Sequence, residues 1–288
     1  MIDEVGGCID YDECGDGPTL VLVPGSCSTG AAWRPVIVAW NGQFRCVTTS
    51  LLGYGGTAER RTARDSSIVH EAEIVEAVAR KAGGPVHLVG HSFGGLVALA
   101  VALRNQVALN SLVIVEAPAT GLLREWNEDQ HHRAFTEMTE AYFAAFEAGD
   151  KEAIASMIDF YGGPGTYASW PSRVRAYAVE TTPVNILDWA SAYDFSLPVA
   201  SLAAIAIPTL VMWGGASHPG VQWANALLSQ CVAGAAPATI AGASHFMISS
   251  HADEVARRIA DHVHRAEVRA TSPQAQTVTN GDVFVVRG

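Results

Sequence analysis

Gly90-His91-Ser92-Phe93-Gly94 follows the apolar run Val86 to Val89 and opens a stretch rich in alanine and leucine, Gly95 to Leu103. The run lacks alternation and is β-branched at Val86 and Val89, which predicts a strand buried on both faces of a parallel sheet. The residues after it predict a helix. A serine on a tight turn between such a strand and such a helix is a nucleophile elbow. Glycine is needed at 90 and 94, because a side chain at either place would collide with the neighbouring strand or helix. The serine itself takes a strained backbone angle that pushes its hydroxyl outward.

Outward from this stretch, short apolar runs alternate with helical patterns, the signature of a parallel sheet wrapped on both sides. The strands expected are Thr19 to Val23, Phe44 to Thr48, Pro85 to Val89, Leu112 to Val115, Pro208 to Trp213 and Ala238 to Ile240. Ile68, Ala72, Val75, Ala79 and Ala82 recur at helical spacing, and Gly83-Gly84 stops that helix. Further helices are expected at Val97 to Leu103, Val221 to Leu228 and Asp253 to His264. Between Ala119 and Ala204 the alternation breaks. No good strand occurs there, and aromatic residues such as Tyr142, Phe143, Phe146, Phe160 and Tyr161 concentrate among helical segments. The reading is an α/β core over 1–118 and 205–265 with a helical cap over 119–204. Residues 266–288 then form a C-terminal extension whose Asn280-Gly281 signals a hairpin over 277–285.

At 288 residues and 49% hydrophobic content the chain can bury a large core. Its formal net charge of -11, from 18 basic and 29 acidic residues, argues against nucleic acid and anionic membrane as partners. Met1-Ile2-Asp3-Glu4 lacks the basic and apolar segments of a secretion signal, and no apolar run reaches bilayer-spanning length. The expectation is a soluble, cytoplasmic protein acting on a small-molecule substrate as a monomer or homodimer. Cysteines 8, 14, 27, 46 and 231 show no metal spacing and read as free thiols. Of the ten histidines, His70 falls on an exposed helix face and His131-His132 in the cap, none beside carboxylates at ligand spacing. No metal and no cofactor are expected.

With the elbow, the alternation and the insertion in view, the chain resembles the α/β-hydrolase superfamily from about residue 5 to residue 265. Pro24-Gly25-Ser26 after Thr19 to Val23 resembles the oxyanion loop, which usually reads His-Gly, and Gly53-Tyr54-Gly55 resembles the loop after the next strand. Ala241-Gly242-Ala243-Ser244-His245-Phe246 resembles the late loop that carries the catalytic histidine. The resemblance implies Ser92 as nucleophile and His245 as base, with His91 as the variable elbow position. It implies the backbone amides of Ser26 and Phe93 as oxyanion donors. The Ser26 hydroxyl is either a third donor or a plain turn serine.

The acid departs from the family pattern, because Gly214-Gly215-Ala216-Ser217-His218-Pro219 contains no carboxylate. Glu116, directly after Leu112 to Val115, is the candidate instead. A charge there is costly to bury unless something pairs with it, and a histidine that becomes cationic is such a partner. The alternatives are a Glu116 that faces water, with His218 or Ser217 orienting His245, or Asp188 or Asp194 reaching across. Cys27 and Trp33 are candidates for substrate binding, alongside the cap aromatics.

What the resemblance implies is hydrolysis of a small or medium hydrophobic carboxylic ester through an acyl-enzyme. Carbon-carbon bond hydrolase, lactonase, perhydrolase and acyltransferase chemistry stay open, as does an idle ligand-binding protein with the same pocket. A serine in the elbow argues against dehalogenase and epoxide hydrolase chemistry, whose members use an aspartate there.

Overall fold

The computed structural model describes residues 1–4 and 7–271. A hairpin of β1 (Ile2–Glu4) and β2 (Gly7–Ile9) precedes the main sheet. Next come β3 (Asp12–Cys14), β4 (Thr19–Val23), α1 (Arg34–Trp40), β5 (Arg45–Thr48), α2 (Ile68–Ala82), β6 (Val86–His91), α3 (Phe93–Arg104) and β7 (Leu109–Val115). Helices alone follow: α4 (Thr120–Glu125), α5 (Asp129–Glu147), α6 (Ile154–Gly162), α7 (Thr166–Ser169), α8 (Ser172–Glu180), α9 (Thr182–Asp194) and α10 (Val199–Ala203). The sheet resumes with β8 (Thr209–Gly214), α11 (Pro219–Cys231) and β9 (Ala236–Ile240), and α12 (Met247–Ser250) and α13 (Ala252–Thr271) complete the described chain.

The main sheet runs β3-β5-β4-β6-β7-β8-β9, antiparallel at β3 and parallel elsewhere. Because side chains alternate across a strand, Val21 and Val23 of β4 enter the hydrophobic cluster on one face while Leu20 and Leu22 enter that on the other. β7 divides likewise, Leu112 and Ile114 against Val113 and Val115. Residues of α2, α3 and α11 cover the first face, and residues of α1 and α13 the second. Both faces are therefore dry, so these strands are apolar throughout. Each fully buried Leu or Val contributes roughly 2 kcal/mol relative to exposure.

The chain passes from β4 outward to β5 and then crosses back to β6 on the other side of β4. The strand order reverses there, and in open α/β sheets ligands bind outside the carboxyl ends of the strands at such a point.

Several boundaries differ from the sequence reading. α3 begins immediately after Ser92, earlier than Val97, because the Gly94-Gly95 pair hides the first turn from a propensity reading. β3 is exposed and polar along its length, so no hydrophobic pattern marks it; main-chain pairing with β5 alone defines it. Residues 266–271, assigned to the C-terminal extension, continue α13. Ala266 is buried, and Glu267 accepts from Asn110 Nδ2 at 3.1 Å and lies 3.0 Å from His87 Nε2. The hairpin expected at 277–285 lies outside the described residues. Among the described residues no helix is long and apolar enough to cross a membrane.

Candidate active site

Ser26, Ser92, Glu116 and His245 all follow the carboxyl ends of strands, β4, β6, β7 and β9 respectively. The elbow is held by steric closeness. A Cβ on Gly90 would lie 2.2 Å from the Gly94 carbonyl oxygen, and one on Gly94 would lie 2.2 Å from that of Pro24. No side chain fits in either place, so the turn stays tight.

Six non-glycine residues among those described have positive φ. Three are asparagines, Asn41, Asn105 and Asn127, a residue type that tolerates the left-handed region. The others are Cys27 (φ 55°), Ser92 (φ 56°) and Glu116 (φ 49°), all three at the strand ends around the site. Backbone strain of this kind costs about 1–3 kcal/mol per residue and persists only where the surroundings impose it. For Glu116 the clamp is visible. Its N–H donates to Met212 O at 2.8 Å, and the next residue, Ala117, exchanges two 3.0 Å hydrogen bonds with the side chain of Asn225 on α11.

His245 Nε2 lies 2.9 Å from Ser92 Oγ, and His245 Nδ1 lies 2.7 Å from Glu116 Oε2. The Glu116 side chain is fully buried. Its other oxygen, Oε1, accepts from Gly214 N–H at 2.6 Å and from the Ser217 hydroxyl. Three donors thus converge on one carboxylate, which offsets the cost of burying its charge. The end of β8 and the loop after it, which lack a carboxylate, supply two of those donors, Gly214 and Ser217. A carboxylate acceptor fixes the proton of His245 on Nδ1, so Nε2 is left to accept from the serine.

The alternative partners for His245 are engaged elsewhere. Ser217 bonds to Glu116 rather than to His245, and His218 stacks on Phe160 with ring centroids 4.2 Å apart. Asp188 takes Arg61 Nη1 at 2.8 Å on one oxygen, and on the other the hydroxyls of Ser26 at 2.5 Å and Tyr54 at 2.6 Å. Asp194 lines a separate groove with Ser67 and Arg104. Arg61 is itself buried and pairs with Glu59 and Glu71 as well as Asp188. Burial raises the Glu71 and Asp188 carboxyls, with the Arg61 charge acting against that rise in each.

The Ser26 hydroxyl therefore serves Asp188 and is not a third oxyanion donor. The Ser26 and Phe93 backbone amides have no protein acceptor among the described residues, and Phe93 is the first residue of α3, where an amide has no partner within the helix. Gly25 brings the loop close, since a Cβ there would sit 2.8 Å from Ser92 Cβ.

A pocket opens beside the serine. It is lined by Cys27, Phe93 and Pro118 from the sheet side, by Met157, Ile158 and Tyr161 of α6, and by Asn185, Asp188, Trp189 and Ala192 along one face of α9. Cys27, a sequence candidate for substrate binding, is among these lining residues. Its thiol is pushed up to about 12, first by burial and then by the Asp188 charge, so it stays neutral. Trp33 does not line the pocket. It is fully buried in the cluster on the opposite face of the sheet, edge-on to His91 at 6.5 Å, so its role is packing. Among the described residues no group of three or more His, Cys, Asp or Glu side chains is placed to hold a metal ion.

His91, read from the sequence as a variable position, is a brace. Its Nε2–H donates to the backbone carbonyl of His245 at 2.9 Å, and the two rings pack 4.8 Å apart. Burial, reinforced by His245, pushes His91 down from 6.5 to about 3. The folded state therefore keeps His91 neutral while the unfolded chain protonates near 6.5, so this residue makes stability fall as pH drops from 6.5 toward 3. The expected slope is about 1.4 kcal/mol per pH unit in that window. His91→Gln, which cannot titrate, will show a shallower loss of melting temperature between pH 6.5 and pH 4 than the native chain. Parallel curves for the two proteins would contradict this assignment.

Known proteins place the chain in context. The model of the Alpha/beta hydrolase family matches residues 20–258. The pimeloyl-[acyl-carrier protein] methyl ester esterase of Aeromonas hydrophila is 32% identical over 124 residues, 41% of this chain and 45% of that protein. The chain spans no more than half the length of the curated relatives it matches. Among solved structures, a hydrolase from Pseudomonas aeruginosa superposes with a TM-score of 0.71 at 20% identity, covering 91% of this chain and 97% of the other. An esterase from Exiguobacterium antarcticum gives 0.70 at 16% identity, covering 91% and 98%. The family model runs from within β4 into α13 and so takes in the elbow, Glu116 and the His245 loop; the chain belongs to the Alpha/beta hydrolase family.

Proposed function

We propose that the chain is a serine hydrolase that cleaves a small or medium hydrophobic carboxylic ester through an acyl-enzyme. The observation that carries this reading is the unbroken relay Ser92–His245–Glu116, with contacts of 2.9 and 2.7 Å, beside a pocket walled by apolar and aromatic side chains. The relatives named as methyl ester esterases support the same reaction class.

Ser92 Oγ attacks the ester carbonyl carbon while its proton passes to His245 Nε2. The carbonyl oxygen takes up the negative charge in reach of the Ser26 and Phe93 amides. Collapse expels the alcohol oxygen, which receives the proton from His245, and leaves Ser92 acylated. Water then attacks the acyl carbon with His245 again as base, and the acid departs as Ser92 recovers its proton. Glu116 stabilises the imidazolium and holds its tautomer. Residues 119–204 act as the cap that selects the substrate, with α6 and α9 closing over the serine.

On a panel of p-nitrophenyl esters, short and medium acyl chains will be turned over and long ones disfavoured, because Trp189, Tyr161 and Met157 close the pocket. Absence of turnover on every chain length would overturn the reading.

A further inference from the structure

The pocket lining holds few polar side chains beyond the relay, and most are already engaged. The Ser26 hydroxyl is spent on Asp188, and both Asp188 oxygens are filled by Arg61, Ser26 and Tyr54. Asn185 differs. It is 1% exposed, lies three residues before Asp188 on the pocket face of α9, and accepts the Tyr142 hydroxyl on Oδ1 at 2.9 Å. That bond sets the orientation of the amide. Its Nδ2 then makes no hydrogen bond to a protein group among the described residues and, not being one of the enclosed atoms left without a partner, borders the pocket space.

Once a ligand displaces water from the pocket, an amide N–H without a protein acceptor is left unpaired at a cost, so a donor kept in such a place implies an acceptor that arrives with the ligand. The acceptor is uncharged. No Lys or Arg lines the pocket, Arg61 is behind Asp188 and fully paired, and the Asp188 and Glu116 carboxylates would repel an anion.

Resting on the ester hydrolase reading, we propose that Asn185 is a specificity residue whose Nδ2–H donates to a neutral oxygen on the substrate, so that the preferred substrate is an ester carrying a second oxygen function, a ketone, ether or further ester, rather than a plain alkyl chain. The Tyr161 hydroxyl, which also lines the pocket without a hydrogen bond among the described residues, serves as the control.

The test compares p-nitrophenyl pentanoate with its 3-oxo, 4-oxo and methoxy analogues on the full-length protein. One analogue will exceed the parent in kcat/KM by about tenfold, the scale of one well-placed hydrogen bond. In Asn185→Asp, which keeps an acceptor for Tyr142 but removes the donor, and in Asn185→Leu, that ratio will fall to near unity. It will persist in Tyr161→Phe. A ratio of two rates on one protein is insensitive to a general loss of folding or turnover, so a purely structural Asn185 would leave it unchanged. Absence of any preference in the native chain, or a preference that survives both Asn185 variants, overturns the proposal while plain ester turnover leaves the hydrolase reading standing. Failure of the native chain on every ester would instead sink both.

Discussion

Ser92→Ala will lower kcat on the best ester by about a millionfold. In the proposed reaction the serine alone holds the acyl group during turnover. Cys27 lines the same pocket, but its thiol stays neutral. Water in place of the lost hydroxyl would still find the two oxyanion amides, so a residue of catalysis about a thousandfold above solution should remain. The change removes one oxygen from a residue whose backbone strain comes from its flanking turn, so the melting temperature should move little. Turnover within tenfold of the native chain would show that another group carries the reaction.

Glu116→Gln will lower kcat by about three to four orders of magnitude. Gly214 N–H and the Ser217 hydroxyl both donate to Oε1, so the glutamine oxygen will settle there and its NH2 will face His245 Nδ1. That contact forces the imidazole to accept at Nδ1 and carry its proton on Nε2, the tautomer that cannot receive a proton from Ser92. Size and burial are preserved, so substrate KM should stay within a few fold. A variant with near-native kcat would show that His245 is oriented by something other than this carboxylate.

Much of this site is written in local sequence. An unalternated apolar run followed by Gly-x-Ser-x-Gly gives the strand, the turn and the serine together, and a carboxylate after four apolar strand residues marks Glu116, because burial without a partner is too costly. His245 follows from the resemblance of its loop, after the last strand, to the one in which the superfamily carries its histidine. What the sequence hides are contacts between distant elements. His91 reaches the carbonyl of a residue 154 positions away, Asn225 clamps the Glu116 turn across 108, and Asp188 holds Ser26 across 162. None has a periodic signal. Trp33 is misread for a related reason: an aromatic residue soon after the Ser26 loop reads alike on either face, and the turn over Gly30–Trp33 sends it beneath the sheet. The charged cluster at Arg61 is equally silent, since its three carboxylates come from two loop or helix segments near it and from α9.

Reaction with a fluorophosphonate, followed by peptide mapping, tests the relay most directly because the reagent needs an activated serine and oxyanion donors but no knowledge of the natural substrate. The account predicts stoichiometric phosphonylation at Ser92 in the native chain, slowed about a thousandfold or more by Glu116→Gln. A native protein that stays unlabelled, or is labelled at another residue, would contradict it.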